Sequence, residues 1–299
     1  MISGASDARE ALTGRDVSVV IPSLDSPDVD RAVDAVFAGT VSPGELIVVG
    51  RDGPGRIAGD YRVTFVRTER IELPGGARNI GAGLAKGEIL AFLDSDCVPE
   101  PDWLAAHLRR HALGETVVGG SVLWETDNYW TLADNVSMFH ECDIHAPRGR
   151  RRYLPTLNLS VRRGAFAATG PMDPGLPRGE DLDWTIRAAV AGHPPYFEPA
   201  ARVWHRPRRA SARDALMHWY VSGQWLVGVR RHYPGVFGRS TWLYRPAVLR
   251  LLSPAIASAA TLRLLSPGQP GRRHLRTVPA IYLTKLAWCW GAARPARVD

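Results

Sequence analysis

Apolar residues fall in two rhythms along this chain, and the change from one to the other marks out its elements. Val17-Ser18-Val19-Val20-Ile21-Pro22 and Glu45-Leu46-Ile47-Val48-Val49-Gly50 are short, β-branched runs closed by proline or glycine, which read as strands. Between them Val29, Ala32, Val33 and Val36 recur at helical spacing from Asp28 to Phe37, with Gly39 as the stop. A strand, a helix and a strand in so short a span imply a right-handed parallel crossover. Val63 to Val66 predicts a third strand, and Ile89-Leu90-Ala91-Phe92-Leu93 one buried on both faces, because polar residues do not alternate within it. Pro99 to His111 predicts a helix, Val117 to Trp124 and Asn158 to Arg163 two strands, and Gly164 to Thr169 a short helix. Gly179 to Gly192 reads as a helix opened by acids and closed by glycine, and Pro195 to His205 as a last strand. Residues 125–153 lose any clean period; they read as a binding loop or, equally, as a helix over Trp130 to Cys142 packed on the sheet.

The remainder changes character. Ser211 is placed to cap a helix running to about His232, where Pro234-Gly235 stops it. Leu251 to Leu262 then runs 12 residues without charge, and Thr277 to Ala293 is interrupted only by Lys285. Both stretches fall short of the roughly 20 apolar residues that span a bilayer. Up to His205 the chain carries 21 basic and 28 acidic residues; from Arg206 onward it carries 16 basic and 2 acidic. The apolar stretches, flanked by Arg250, Arg263, Arg272, Arg273, Arg276, Arg294 and Arg297 and holding Trp288 and Trp290, suit helices lying in the interface of an anionic membrane. The alternative is a helical cap packed on the preceding domain or on a dimer partner. Nucleic acid is not expected, because the basic residues alternate with apolar runs instead of lining one polar face. The expected division is an N-terminal tail over 1–16, an α/β domain over 17–206 and a basic helical extension over 207–299. Cys97, Cys142 and Cys289 are scattered and odd in number, which fits neither a disulfide framework nor a zinc site and suits a reducing compartment. No apolar segment follows the first charges, so a cytoplasmic location is expected, with peripheral attachment at the inner face of the cell membrane as an option.

Chemistry gathers where the most apolar strand runs into Asp94-Ser95-Asp96. Ligands of open α/β sheets sit beyond the carboxyl ends of the strands, and two carboxylates one residue apart can converge on a hard cation that also takes phosphate oxygens. Pro74 to Gly87 is a glycine-rich loop entering a helix of small residues, which allows close backbone approach and offers N–H groups to an anion; it is neither a P-loop nor a dinucleotide fingerprint. Arg78 within it is either an anion ligand or a surface ion-pair member. Glu180, Asp181 and Asp183 exceed what capping one helix requires. Glu180 and Asp183 share a face, with Asp181 about 100° away, so one can reach a substrate while the others orient the loop. His205, ending a strand, is a candidate metal or phosphate ligand.

In this order, Ile21-Pro22, Ala77-Arg78-Asn79-Ile80-Gly81, Lys86-Gly87-Glu88-Ile89 leading to Phe92-Leu93-Asp94-Ser95-Asp96, Asn158 to Arg163, and Gly179-Glu180-Asp181 resemble the family 2 glycosyltransferases of GT-A fold over residues 17 to 206. The resemblance implies a Rossmann-like, mostly parallel sheet sandwiched by helices. It implies an inverting transfer of sugar from a nucleotide-diphosphate sugar to a hydroxyl acceptor, whether glycan, lipid or small molecule. Asp94 and Asp96, with His205, would hold Mn2+ or Mg2+; Pro22, Asp52, Arg78 and Asp94 would contact the donor. Asp181 would be the general base and Glu180 its positioner. One departure is Val49-Gly50-Arg51-Asp52-Gly53-Pro54, where the family usually has paired aspartates before Gly-Ser; Asp52 stands in with a one-residue shift, leaving the nucleobase open. Trp184, bulkier than the usual aliphatic residue, is expected to shape the acceptor side, as is the irregular segment 125–153. Two other readings stand beside this one: a catalytically silent nucleotide-sugar-binding module and a sugar nucleotidyltransferase. The second needs a glycine-rich first loop with arginine, where this chain has Ser23-Leu24-Asp25.

Overall fold

A computed structural model of the protein describes residues 12–238, 240–294 and 296. Most of the expected tail over 1–16, and Arg297, lie outside them. The strands are β1 (Val17–Leu24), β2 (Glu45–Arg51), β3 (Val63–Arg67), β4 (Ile89–Leu93), β5 (Cys97–Pro99), β6 (Val117–Leu123), β7 (Gly149–Arg150), β8 (Asn158–Arg162) and β9 (Tyr196–His205). They form one sheet of order β3-β2-β1-β4-β8-β6-β9-β5, with β7 on β9. The first four in that order are parallel; β8 lies antiparallel between β4 and β6. The β4 residues Ile89 to Leu93 are all buried, as their unbroken apolar run required.

The helices are α1 (Val29–Phe37), α2 (Pro74–Leu84), α3 (Trp103–Ala112), α4 (Tyr129–Phe139), α5 (Arg163–Thr169), α6 (Glu180–Val190), α7 (Ala212–His232), α8 (Pro234–Phe237), α9 (Pro246–Leu264) and α10 (Val278–Ala292). In α1, Val29, Ala32, Val33 and Val36 are buried while Asp30 and Asp34 remain toward solvent. Burying each of the three valines contributes about 1.5–3 kcal/mol. The helix expected from Pro99 begins only at Trp103, because Val98 and Pro99 are drawn into β5, paired with β9. The irregular segment takes its helical alternative: α4 is capped by Asn128, whose side chain accepts from the Trp130 and Thr131 N–H groups.

Asn158, at the start of β8, ties the sheet together beneath its carboxyl edge. Its amide donates to the Ser121 and Ala201 carbonyls at 3.0 and 2.9 Å. Its oxygen accepts from Trp103 Nε1 at 2.8 Å and meets His107 Nε2 at 3.0 Å. Trp184 does not shape a binding surface: it is fully buried, stacks on Phe166 at 5.4 Å and donates Nε1 to the Gly170 carbonyl.

The extension packs on the domain through α4: Leu132, Ala133 and Val136 join Leu264, Ala280 and Ile281 in one apolar cluster. Ser211 caps α7 as expected. α7 and α10 approach at glycines: a Cβ on Gly223 would stand 2.2 Å from the Trp288 carbonyl, and one on Gly291 1.8 Å from that of Tyr220. The uncharged stretch from Leu251 belongs to a longer helix than its own length suggested, since α9 runs 19 residues and takes in Arg250 and Arg263. Among the described residues α9 is the one helix long and apolar enough to cross a membrane by length and composition. Its outer side exposes Leu251 and Leu262, and α10 exposes Trp290.

Candidate active site

Strand β4 delivers Asp94 to the carboxyl edge of the sheet, and α2, lying against β1 and β2, brings Arg78 to it. α2 comes so close because Gly81 faces β1; a Cβ there would stand 2.3 Å from Val20 Cγ1. Arg78 is buried and divides its guanidinium between Asp94 Oδ1 at 2.5 Å and Glu180 Oε1 at 2.8 Å. One cation thus joins the end of the central strand to the start of α6. Desolvation opposes its charge, but Asp94 and Glu180 outweigh that and raise its pKa.

Asp96 and His205 come together because β5 pairs with β9 in a register that sets Cys97 opposite His205. His205 Nε2 stands 3.5 Å from Asp96 Oδ2. Its Nδ1 lies 2.5 Å from Asn135 Oδ1, which accepts the Nδ1 proton and fixes the ring with Nε2 toward the acid. Burial alone would push the Asp96 carboxyl up; His205 and Arg209 overcome it and hold it down at about 2. Among the described residues no three His, Cys, Asp or Glu side chains converge as a ready metal cage. Asp96 and His205 line the same cavity as the Asp94 oxygen that Arg78 leaves open, so a cation bound here would have to draw its other ligands from a phosphate.

The three acids of α6 have separate surroundings. Glu180 is held by Arg78. Asp183 is paired with Arg187 and accepts from the Tyr233 hydroxyl, both near 2.8 Å. Among the described residues the Asp181 carboxylate accepts only from its neighbour, the Leu182 N–H, at 2.8 Å. Burial first, then the adjoining Glu180, raise the Asp181 carboxyl to about 7, with Arg78 pulling the other way. Such a carboxylate can take up a proton near neutrality.

Two spaces meet at this point. A cleft of about 300 Å³ opens between the ends of β1 and β2 and the start of α2, lined by Pro22, Gly50, Arg78, Asp94 and Asp96 among others. Asp52 is not brought into it: both its oxygens accept backbone N–H groups, of Arg56 and Ile57, closing its own turn. The wall there is Gly50, at φ +132, where a Cβ would stand 2.0 Å from the Ser23 carbonyl. On the other side a cavity of about 400 Å³ runs under α4 and α7 and is lined by Arg78, Asp94, Asp96, Glu180, Asp181 and His205. All the expected site residues except Pro22 and Asp52 thus face one space. Sequence reasoning missed Asn135, Arg178, His218 and Arg230, which also border or support it; the signal available was the solitary Lys285 in an apolar stretch, which lines the cavity too.

The family model described as Glycosyl transferase family 2 matches residues 18–169, half of the chain. The chain belongs to glycosyl transferase family 2. Among family relatives it is 32% identical to "Glycosyltransferase AglE" of Haloferax volcanii over 59% of this chain and 62% of that one. It is 28% identical to the "Pre-mycofactocin glycosyltransferase" of Mycobacterium tuberculosis, over 67% of this chain and 44% of that one. The chain therefore spans less than two thirds of either relative. Among solved structures, the mannosyltransferase PcManGT from Pyrobaculum calidifontis, in complex with GDP-Man and Mn2+, superposes with a TM-score of 0.60 at 18% identity, covering 93% of this chain and 86% of that one. The fold is that of the GT-A glycosyltransferases, as expected.

Proposed function

We propose that this family 2 chain moves a sugar from a nucleotide-diphosphate sugar to an acceptor hydroxyl with inversion at the anomeric carbon. The donor would enter the cleft beside Pro22, Gly50 and Arg78, and the acceptor the cavity beside Asp181. As the acceptor oxygen bonds to the anomeric carbon, its proton passes to Asp181. The bond from that carbon to the diphosphate oxygen breaks, and its electron pair leaves with the diphosphate. Mn2+ or Mg2+, held by Asp94, Asp96 and His205, would supply positive charge to that leaving group. Arg78 adds a fixed cation at the junction, and through Glu180 it orients the start of α6.

The observation that carries the reading is the second oxygen of Asp181, without a partner among the described residues, on a carboxyl raised toward neutrality, in the same cavity as Asp94, Asp96 and His205. Thermal-shift screening of nucleotide sugars with and without Mn2+ tests it. Stabilisation by one donor, dependent on Mn2+ and absent in Asp96→Ala, is expected; indifference to every nucleotide sugar refutes it.

The expected membrane contact is part of the same proposal. The α9 side turned away from the domain exposes Leu251 and Leu262 between Arg250 and Arg263, and Trp290 is exposed on α10, a combination suited to an anionic bilayer surface. The full chain should float with phosphatidylglycerol vesicles, and a Leu251→Glu, Trp290→Glu double variant should stay in solution. Equal flotation of both removes the contact.

A further inference from the structure

The cavity beside Asp181 continues beyond it. Glu141, Arg151, Tyr153, Arg230, Lys285 and Trp288 line it and also a second cavity of about 560 Å³ reaching α9. The two cavities adjoin along these shared residues. The walls of the far part carry Arg150, Arg151, Arg152, Arg230, Arg263 and Lys285 against a single carboxylate, Glu141, which the Tyr153 hydroxyl engages. Arg150 is neutralised by Glu115 at 2.5 Å, and Arg151 is held by the Pro147 carbonyl.

The other four cations have no acid partner among the described residues. Arg230 lies between the rings of Phe237 and Trp288, 5.1 and 4.7 Å from their centroids, and its Nε is buried without a hydrogen bond. Lys285 gives one N–H to the Ser137 carbonyl at 2.9 Å and sits 4.0 Å over the Trp219 ring. Burial, then Arg230, lower its pKa to about 7. Among the described residues Arg152 bonds only to the Val236 carbonyl at 2.6 Å, and Arg263 lies on α9. Arg152 and Arg263 are exposed, whereas Arg230 and Lys285 are partly buried, and a desolvated cation without a counter-charge is costly unless an anion joins it.

We propose that the acceptor carries an oxyanion, a phosphate or carboxylate, which seats on Arg152, Arg230, Arg263 and Lys285 while its hydroxyl lies at Asp181. Arginine forks match such groups in two-point fashion. This assignment rests on the glycosyl-transfer reading above.

Calorimetric titration of inorganic phosphate into the full chain at pH 7, without metal, tests it. One saturable site is expected, weakened about 10-fold or more in Arg230→Gln and in Arg263→Gln and unchanged in Asp96→Ala. Arg263 is on the outer wall, so its variant keeps the fold even where Arg230→Gln does not. No saturable binding, or binding equal in the wild type and both arginine variants, overturns the proposal. Glycerol 3-phosphate and monomeric dihexanoyl phosphatidic acid separate the sources: at least 10-fold tighter binding of the second assigns the oxyanion to a lipid headgroup, and equal binding assigns it to a water-soluble molecule, both bearing out the site. Loss of phosphate binding with nucleotide-sugar binding intact refutes the oxyanion alone. The reverse pattern refutes glycosyl transfer and leaves the oxyanion site standing.

Discussion

Replacing Asp181 by Asn should make the protein more stable and much less active, and the size of the gain should depend on pH. The carboxyl stands at about 7 in the folded chain against an ordinary 3.8. At ~1.4 kcal/mol for each tenfold change in proton affinity, this gap is worth about 4 kcal/mol at most. Asp181 is only partly buried, so solvent screening reduces the realised amount to about 2 kcal/mol. Because the folded value lies above the unfolded one, folding disfavours the ionised form. The penalty is absent below about pH 4, grows as pH rises toward 7, and is complete above 7. Asn is isosteric and keeps an oxygen for the Leu182 N–H. Thermal melts of Asp181→Asn should therefore lie about 4 °C above the wild type at pH 8, and no more than about half that above it at pH 5. Transfer at pH 8 should fall by ~10²–10⁴ as the proposed base is lost, and the wild-type kcat/KM should rise with pH about a midpoint near 7. An equal gain at both pH values, or a variant less stable at pH 8, would refute the assignment of a strained carboxyl at this position.

Three further outcomes follow from the packing. Arg78→Met leaves Asp94 and Glu180 without their shared cation and should cost about 3–5 kcal/mol in urea denaturation; a loss below 1 kcal/mol would show that solvent already screens the pair. Asn158→Ala strips four buried polar contacts and should cost about 2–4 kcal/mol by the same measurement, with a near-neutral result ruling out its role as the tie beneath the sheet. Gly223→Val forces α7 away from α10 and should cost about 1–3 kcal/mol, with protease cleavage in α9 and α10 faster than in the wild type; unchanged cleavage would mean the helices are held elsewhere.

The strands β1, β2 and β4 were legible because each is a compact β-branched or wholly apolar run, and α1 and α6 because periodicity and caps agreed. What the sequence hid was mostly set by partners far along the chain. Val98 and Pro99 look like a helix start, but β9, a hundred residues later, recruits them into the sheet. Asp52 resembles a ligand by position, yet the turn it closes satisfies both of its oxygens locally. Trp184 looked like a surface feature because nothing nearby in sequence announces Phe166 as its stacking partner. Within the site, Asp94, Asp96, Glu180, Asp181 and His205 could be picked out by type and spacing. Asn135 could not, since its contact with His205 exists only once α4 crosses the end of β9.

The junction of the two spaces is small: the sheet-side cleft and the helix-side cavity have only Pro74, Arg78, Asp94 and Asp96 in common. Every other lining residue borders one space and not the other. Exchanging residues 137–157 together with the region after residue 206 for those of a related protein should thus alter what the helix-side cavity admits without changing what enters the sheet-side cleft. Exchanges confined to residues 50–73 should do the opposite, so the molecule offers two independently tunable selectivities around one shared set of four residues.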